Sequence, residues 1–158
     1  MAKRRGTLEE VVIHQPSAAF WRGKRVLLTG HTGFKGAWLA LLLEKLGAEV
    51  TGFALAPEAG PSAFVALRPV IASHIEDLRD AAAVQAVVKG ARPEIVLHLA
   101  AQALVGRGYR DPEGTFASNV TGTINLMQAL RGADVRAALM ITSDKVYRND
   151  NQGRAFRE

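Results

Sequence analysis

The sequence predicts an α/β fold, a doubly wound parallel sheet with helices on both faces. Three observations predict it. Short runs of consecutive apolar residues recur along the chain, the pattern of strands buried on both sides rather than of half-exposed ones. Between them lie stretches with apolar residues three and four apart, long enough to serve as crossovers between parallel neighbours. The first apolar run also passes directly into a glycine-rich segment and then into a helical one. With 158 residues, 48% of them hydrophobic and 22% charged, the chain can bury a substantial core as one domain.

The elements follow in order. Residues before about Phe20 show no period and include Pro16, so 1–19 reads as a flexible arm and 20–158 as the domain. Residues 25–29 (RVLLT) form the first strand, and 37–46 the first helix, with Gly47 placed as its C-cap glycine. A second strand covers 49–53, and a loop with Pro57, Gly60 and Pro61 leads to a weak third strand at 71–76. Residues 81–89 form a helix with Val84, Val87 and Val88 on one face, ended by Gly90 and Pro93. The fourth strand is 95–99. A long helix from about 113 to 130 then carries Phe116, Val120, Ile124, Met127 and Leu130 as one apolar stripe. The fifth strand is 137–142, where the pattern runs out, so the domain reads as truncated after it. The expected strand order is 3-2-1-4-5.

Composition excludes several function classes. The absence of Cys removes a disulfide scaffold, a thiolate metal site and a cysteine nucleophile, and fits a reducing compartment such as the cytoplasm. The longest strongly apolar run, 37–43, is too short to span a membrane. The net charge is +5, but after Lys3, Arg4 and Arg5 the basic residues scatter, and aromatics make up only 6%. Nucleic acid is therefore not an expected partner, and no metal site is expected. The basic start lacks the apolar segment of a signal peptide.

The segment Thr29-Gly30-His31-Thr32-Gly33-Phe34-Lys35-Gly36 places three glycines in G-x-x-G-x-x-G spacing between strand and helix. Gly30 permits the sharp turn, Gly33 lets backbone amides approach a pyrophosphate, and Gly36 allows close packing of the helix. The helix N-terminus offers N–H groups and partial positive charge to phosphates. This is a dinucleotide-binding (Rossmann) signature; a tight turn that binds nothing is the alternative. No G-K-[S/T] closes the loop, which argues against nucleotide hydrolysis. The acid that often bonds the adenosine ribose at the end of the second strand is missing, since that end reads Gly52-Phe53-Ala54-Leu55 with Glu58 beyond it. His31 and Lys35 leave a 2′-phosphate open, so NAD and NADP are both admitted.

Beyond the loop, several motifs carry a resemblance. They are Phe20-Trp21-x-Gly23-Lys24, Ser73-His74-Ile75-x-Asp77, HLAAQALV at 98–105, Tyr109-Arg110-Asp111-Pro112, Asn119-Val120-x-Gly122-Thr123 and Thr142-Ser143-Asp144-Lys145. Together they resemble the extended short-chain dehydrogenase/reductase family, and the pairing of GHTGFKG with TSDK resembles its CDP-glucose 4,6-dehydratase branch. The resemblance implies an NAD-dependent lyase acting on a nucleotide sugar. The hexose is oxidised at C4, which acidifies the C5 proton; water leaves across C5 and C6, and hydride returns to C6. It further implies that Gly30, Thr32, Gly33, Phe34, Lys35 and Gly36 hold the pyrophosphate and that Asp77 and Leu78 lie against the adenine. Leu99, Ala100, Ala101 and Gln102 would line the nicotinamide side, with Asn119 in support from the long helix. Ser143, Asp144 and Lys145 would do the catalytic work at the end of the fifth strand, Ser143 as a hydrogen-bonding group and the other two in acid–base roles. A lysine base requires a lowered pKa.

The family's Tyr-x-x-x-Lys is missing, because Tyr109 and Tyr147 are followed four residues later by Glu113 and Asn151. The motif and the substrate domain are expected past Glu158, so the 158 residues alone are expected to be inactive. Gly106 and Gly108 stand where larger or polar residues are expected, which reads as a loosened segment, and Val146 stands where the family often has Cys. The full-length enzyme is expected to be a homo-oligomer that pairs through the 113–130 helix. Two other readings stay open: an extended-family epimerase or reductase on another nucleotide sugar, and a catalytically silent dinucleotide-binding fragment.

Overall fold

In the computed structural model, residues 15–143 and residue 148 are described. Five parallel strands form one sheet in the order β3-β2-β1-β4-β5, as expected. They are β1 (Arg25–Thr29), β2 (Glu49–Ala54), β3 (Ala72–Ile75), β4 (Ile95–His98) and β5 (Ala137–Met140). The helices are α1 (Ala18–Trp21), α2 (Phe34–Lys45), α3 (Ala63–Leu67), α4 (Ala81–Ala91), α5 (Val105–Arg110), α6 (Pro112–Phe116) and α7 (Gly122–Leu130). A π-helical turn, Ala117–Thr121, joins α6 to α7.

Strand parity divides the core. Leu27 and Val96 point to one face, into a cluster with Phe53, Leu78, Val84, Val87, Val88 and Leu126. Their neighbours Val26, Leu28, Ile95 and Leu97 point to the other, against Ala40, Leu43 and Val50. Each inner strand thus feeds both cores, which is why its sequence is apolar without alternation. α4 and α7 cover the first face and α2 the second.

Local chemistry sets the helix limits. α2 starts at Phe34, three residues earlier than expected, because Gly33 is already its N-cap. It ends in a Schellman motif: Gly47 (φ +81°) donates to the Glu44 carbonyl and Ala48 to that of Leu43. Asp80 caps α4 by accepting from the Ala82 and Ala83 amides. Gly90 does not end α4, contrary to the sequence expectation; the helix runs on to Ala91, and the left-handed residue is Arg92 (φ +43°). The segment with Gly106 and Gly108, expected to be loosened, is the short helix α5.

The expected long helix is present as α6, the π turn and α7. Most of its apolar stripe faces outward, with Phe116 68% and Met127 54% exposed, but Leu130 packs against the core, and Gly122 and Leu126 form the buried side.

Candidate cofactor site

At the carboxyl end of β1 the chain must turn sharply and run back along the sheet as α2. Gly30 makes the turn at φ +76°, and a Cβ there would lie 2.7 Å from the Ala100 amide nitrogen. A Cβ on Gly36 would overlap the Gly30 carbonyl oxygen. Backbone stands on both sides, so neither clash can be relieved by a rotamer change. The two glycines fold the loop tightly onto itself and onto the loop after β4. Gly33 differs: it is exposed, with only the Gly30 oxygen at 3.3 Å from a Cβ position. Its side is open, as a bound group would require.

α2 has no side-chain cap and no acidic residue in its first turn. Its leading N–H groups and dipole therefore face a concave backbone surface that carries no competing negative charge. Phe34 and Lys35 are exposed beside it. Thr32 is turned away, its hydroxyl donating to the Leu55 carbonyl at 2.8 Å. A cradle closed to Cβ atoms and lined by free helical amides fits a dinucleotide pyrophosphate.

Two loops flank the cradle. On the β3 side, Asp77 accepts from its neighbour Arg79 through both the Arg79 backbone amide (2.9 Å) and the guanidinium (2.6 Å). That hydrogen bonding holds its carboxyl below the usual range. Leu78 is 8% exposed, its side chain lying in the core beside Gly122. Asn125 of α7 donates to the Leu78 and Arg79 carbonyls (2.9 and 3.1 Å) and pins this loop.

On the β4 side, Leu99 packs against the α2-side core and Ala100 against the other. Ala101 is exposed. The Gln102 side chain is hydrogen-bonded within the protein, accepting from Leu104 N–H (2.7 Å) and donating to the Thr115 hydroxyl (2.9 Å). Asn119 likewise spends both amide atoms on the Gln102 backbone. Its side chain holds the loop. Ser143 is exposed at the end of β5, whereas Asp144 and Lys145 lie outside the described residues.

Two buried histidines are not apparent from the sequence. His31 stands there as a basic loop residue able to meet a 2′-phosphate. It is instead fully buried, its ring over Gly52 and edge-on to Phe64, with Nε2 2.7 Å from the Ser73 hydroxyl. Burial lowers its pKa, with the Phe53 backbone acting weakly the other way, and Nδ1 has no hydrogen-bond partner of good geometry. A neutral, enclosed imidazole offers no charge to a phosphate. Of the two basic residues, only Lys35 is exposed. His98 is buried at the end of β4, where burial also lowers its pKa. It bonds Thr29 (2.6 Å) and Thr123 (2.9 Å). A histidine ending an otherwise apolar strand was the available signal, since a buried imidazole needs partners. Among the described residues no cluster of His, Asp or Glu could hold a metal ion, and no helix is long and apolar enough to cross a membrane.

Comparison with known proteins agrees with this geometry. The sequence matches the NAD dependent epimerase/dehydratase family over residues 26–158. It is 44% identical over 142 residues to CDP-glucose 4,6-dehydratase of Salmonella typhimurium, covering 88% of this chain and 40% of the relative. Among solved structures, UDP-glucose 4-epimerase of Thermus thermophilus, a complex with NAD, superposes with a TM-score of 0.60. The identity there is 35%, over 68% of this chain and 33% of that one. UDP-glucose-4-epimerase of Stenotrophomonas maltophila, with bound NAD and formylated UDP-arabinopyranose, gives 0.68 at 26% identity, over 82% and 40%. The chain spans between a third and two-fifths of the length of these relatives. With the family matched over most of its length and the glycine cradle in place, the chain belongs to the NAD dependent epimerase/dehydratase family.

Proposed function

We propose that this chain is the cofactor-binding portion of an NAD-dependent nucleotide-sugar 4,6-dehydratase that converts CDP-glucose to CDP-4-keto-6-deoxyglucose. The observation that carries the reading is the glycine cradle at β1, joined to 44% identity with a CDP-glucose 4,6-dehydratase. When bound, the dinucleotide supplies reversible hydride exchange with the sugar. The chain's own residues supply its seat. The α2 N-terminus and the Gly30–Gly36 loop hold the pyrophosphate. The Asp77 loop meets the adenine end, and the backbone of Leu99, Ala100 and Ala101 lines the nicotinamide end. The fully buried, neutral His31 favours NAD over its 2′-phosphorylated form. Ser143, Asp144 and Lys145, which follow β5 in the sequence, would act on the sugar, with Ser143 bonding it and the other two moving protons.

Calorimetric titration with NAD tests the seat. Gly33→Val places a branched side chain on the open side of the loop, and its expected result is loss of NAD binding with the fold retained. Unchanged affinity removes the loop assignment. Presenting CDP-, dTDP-, GDP- and UDP-glucose to the protein encoded by the whole gene tests the sugar nucleotide. A 4-keto-6-deoxy product from the CDP sugar alone is expected.

A second reading, epimerase, is favoured by the similar solved structures that are UDP-glucose 4-epimerases. Recovery of a C4-inverted sugar with its 6-hydroxyl intact would select it. The exposed stripe of Phe116, Val120, Ile124 and Met127 supports homo-oligomer formation by the full-length protein.

A further inference from the structure

We infer that His98 and Thr123 act with the π-helical turn as one positioning device, which sets where the Leu99–Gln102 loop stands against the nicotinamide end of the dinucleotide. The inference rests on the reading above that this loop lines that end.

The proton inventory carries it. The Thr123 hydroxyl has one hydrogen and donates it to the Asn119 carbonyl at 2.7 Å. The Nε2 atom of His98, 2.9 Å from the same hydroxyl oxygen, must therefore be the donor in that contact. Burial disfavours the charged ring, so His98 is the neutral Nε2–H tautomer, and its Nδ1 lone pair receives the Thr29 hydroxyl at 2.6 Å. The Thr29 oxygen in turn accepts the Ala100 amide at 3.2 Å. For a neutral ring, one arrangement of protons satisfies every contact, and it runs in one direction through the imidazole.

Geometry turns this chain of bonds into a device. One end grips the loop at Ala100, through Thr29. The other end grips the Asn119 carbonyl inside the π turn, and Asn119 clamps Gln102 from both sides, accepting its N–H (2.7 Å) and donating to its carbonyl (3.0 Å). Both ends of a four-residue loop are thus referred to one ring. π turns are rare and concentrate at functional sites, and this one is centred on Asn119. Asn125, six residues further on, holds the adenine-side loop independently of this network.

Thr123→Val keeps the shape and removes the hydroxyl; Thr123→Ser keeps the hydroxyl. The titrants are NAD and ADP-ribose, which has the adenosine and pyrophosphate but no nicotinamide. Thr123→Val is expected to weaken NAD about ten-fold, as loss of a buried hydrogen-bond partner implies. ADP-ribose affinity should stay within about two-fold. Thr123→Ser should restore NAD, and exchange of the Gln102 amide with solvent should quicken in the Val variant only. Equal weakening of both titrants, or no change in NAD affinity and Gln102 exchange, overturns the inference. Ring-nitrogen NMR of the unmodified chain needs no variant: a proton on His98 Nδ1 also overturns it. Failure of the unmodified chain to bind either titrant would strike the cofactor reading instead, and Gln102 exchange would still judge the device.

Discussion

The two flanks of the β1 crevice each bury a histidine, and they satisfy it differently. On the β2–β3 flank, His31 bonds one exposed-edge serine and leaves Nδ1 unpartnered. On the β4 flank, His98 uses both nitrogens, each on a hydroxyl that is itself bonded to backbone. The first imidazole mainly fills space against Gly52 and Phe64. The second ties two segments of chain together. Burial alone therefore does not predict how much a polar side chain organises its surroundings; the partners on its far side do.

The largest expected effect strikes what both flanks share. Gly36→Ala sets a methyl group on the Gly30 carbonyl, and Gly30→Ala adds a strained φ to a clash with Ala100. Each should cost about 3 kcal/mol or more, or prevent folding, since backbone cannot step aside. Gly33→Ala, with its open side, should cost less than about 1 kcal/mol. Urea unfolding of the three variants checks the order. Equal costs would mean that the loop is loose and the flanks are not joined through it.

The histidines come next. His98→Leu leaves the buried Thr29 hydroxyl hydrogen without an acceptor and removes the donor to Thr123, and should cost about 2–4 kcal/mol. His31→Leu gives up one hydrogen bond of good geometry and leaves the exposed Ser73 free to meet water, so about 1 kcal/mol or less is expected. The same urea measurement decides. A larger loss at His31 would reverse the comparison.

What the sequence made legible divides along similar lines. Parallel strands, their order and the glycine turn follow from patterns that backbone geometry imposes on consecutive residues: RVLLT, the G-x-x-G-x-x-G spacing, and Gly47 after a helical run. The site's polar wiring joins residues distant in sequence. Thr29 and His98 are 69 positions apart, and Leu78 and Asn125 are 47 apart. No local period encodes such pairs. Motif likeness singles out Gln102 for the nicotinamide side and Asn119 for support, yet likeness does not say that the two are hydrogen-bonded to each other. A loop position suggests exposure for His31, whereas Gly52 opposite it makes room for a ring.

Acid should separate the flanks by a smaller amount. Burial holds both histidines below the ordinary value of 6.5, so the unfolded chain binds more protons than the folded one as pH falls past that value. The stability they support is complete above pH 6.5 and is lost on acidification, levelling off below the folded-state values. His31→Leu should remove its share of the slope and leave that of His98. Unfolding free energies between about pH 7.5 and about pH 5 test this. An unchanged slope would assign the acid response to His98 alone.

The smallest effect concerns the one ion pair that bridges the flanks among the described residues. Glu58 follows β2 and Arg107 lies in α5, after β4, so their 3.7 Å contact spans the glycine loop between them. It looks like a strap, but its chemistry says otherwise. Glu58 is 80% exposed and Arg107 52%, water and salt screen both charges, and ordering two long side chains offsets much of the attraction. Glu58→Gln should therefore change stability by less than about 0.5 kcal/mol, and that difference should vanish in high salt. A double-mutant cycle with Arg107→Gln isolates the pair term from any effect of either residue alone. A coupling of about 1 kcal/mol or more that persists in salt would show the flanks to be held from above the loop as well as through it. The rigid connection would then be shared between that pair and the glycine cradle.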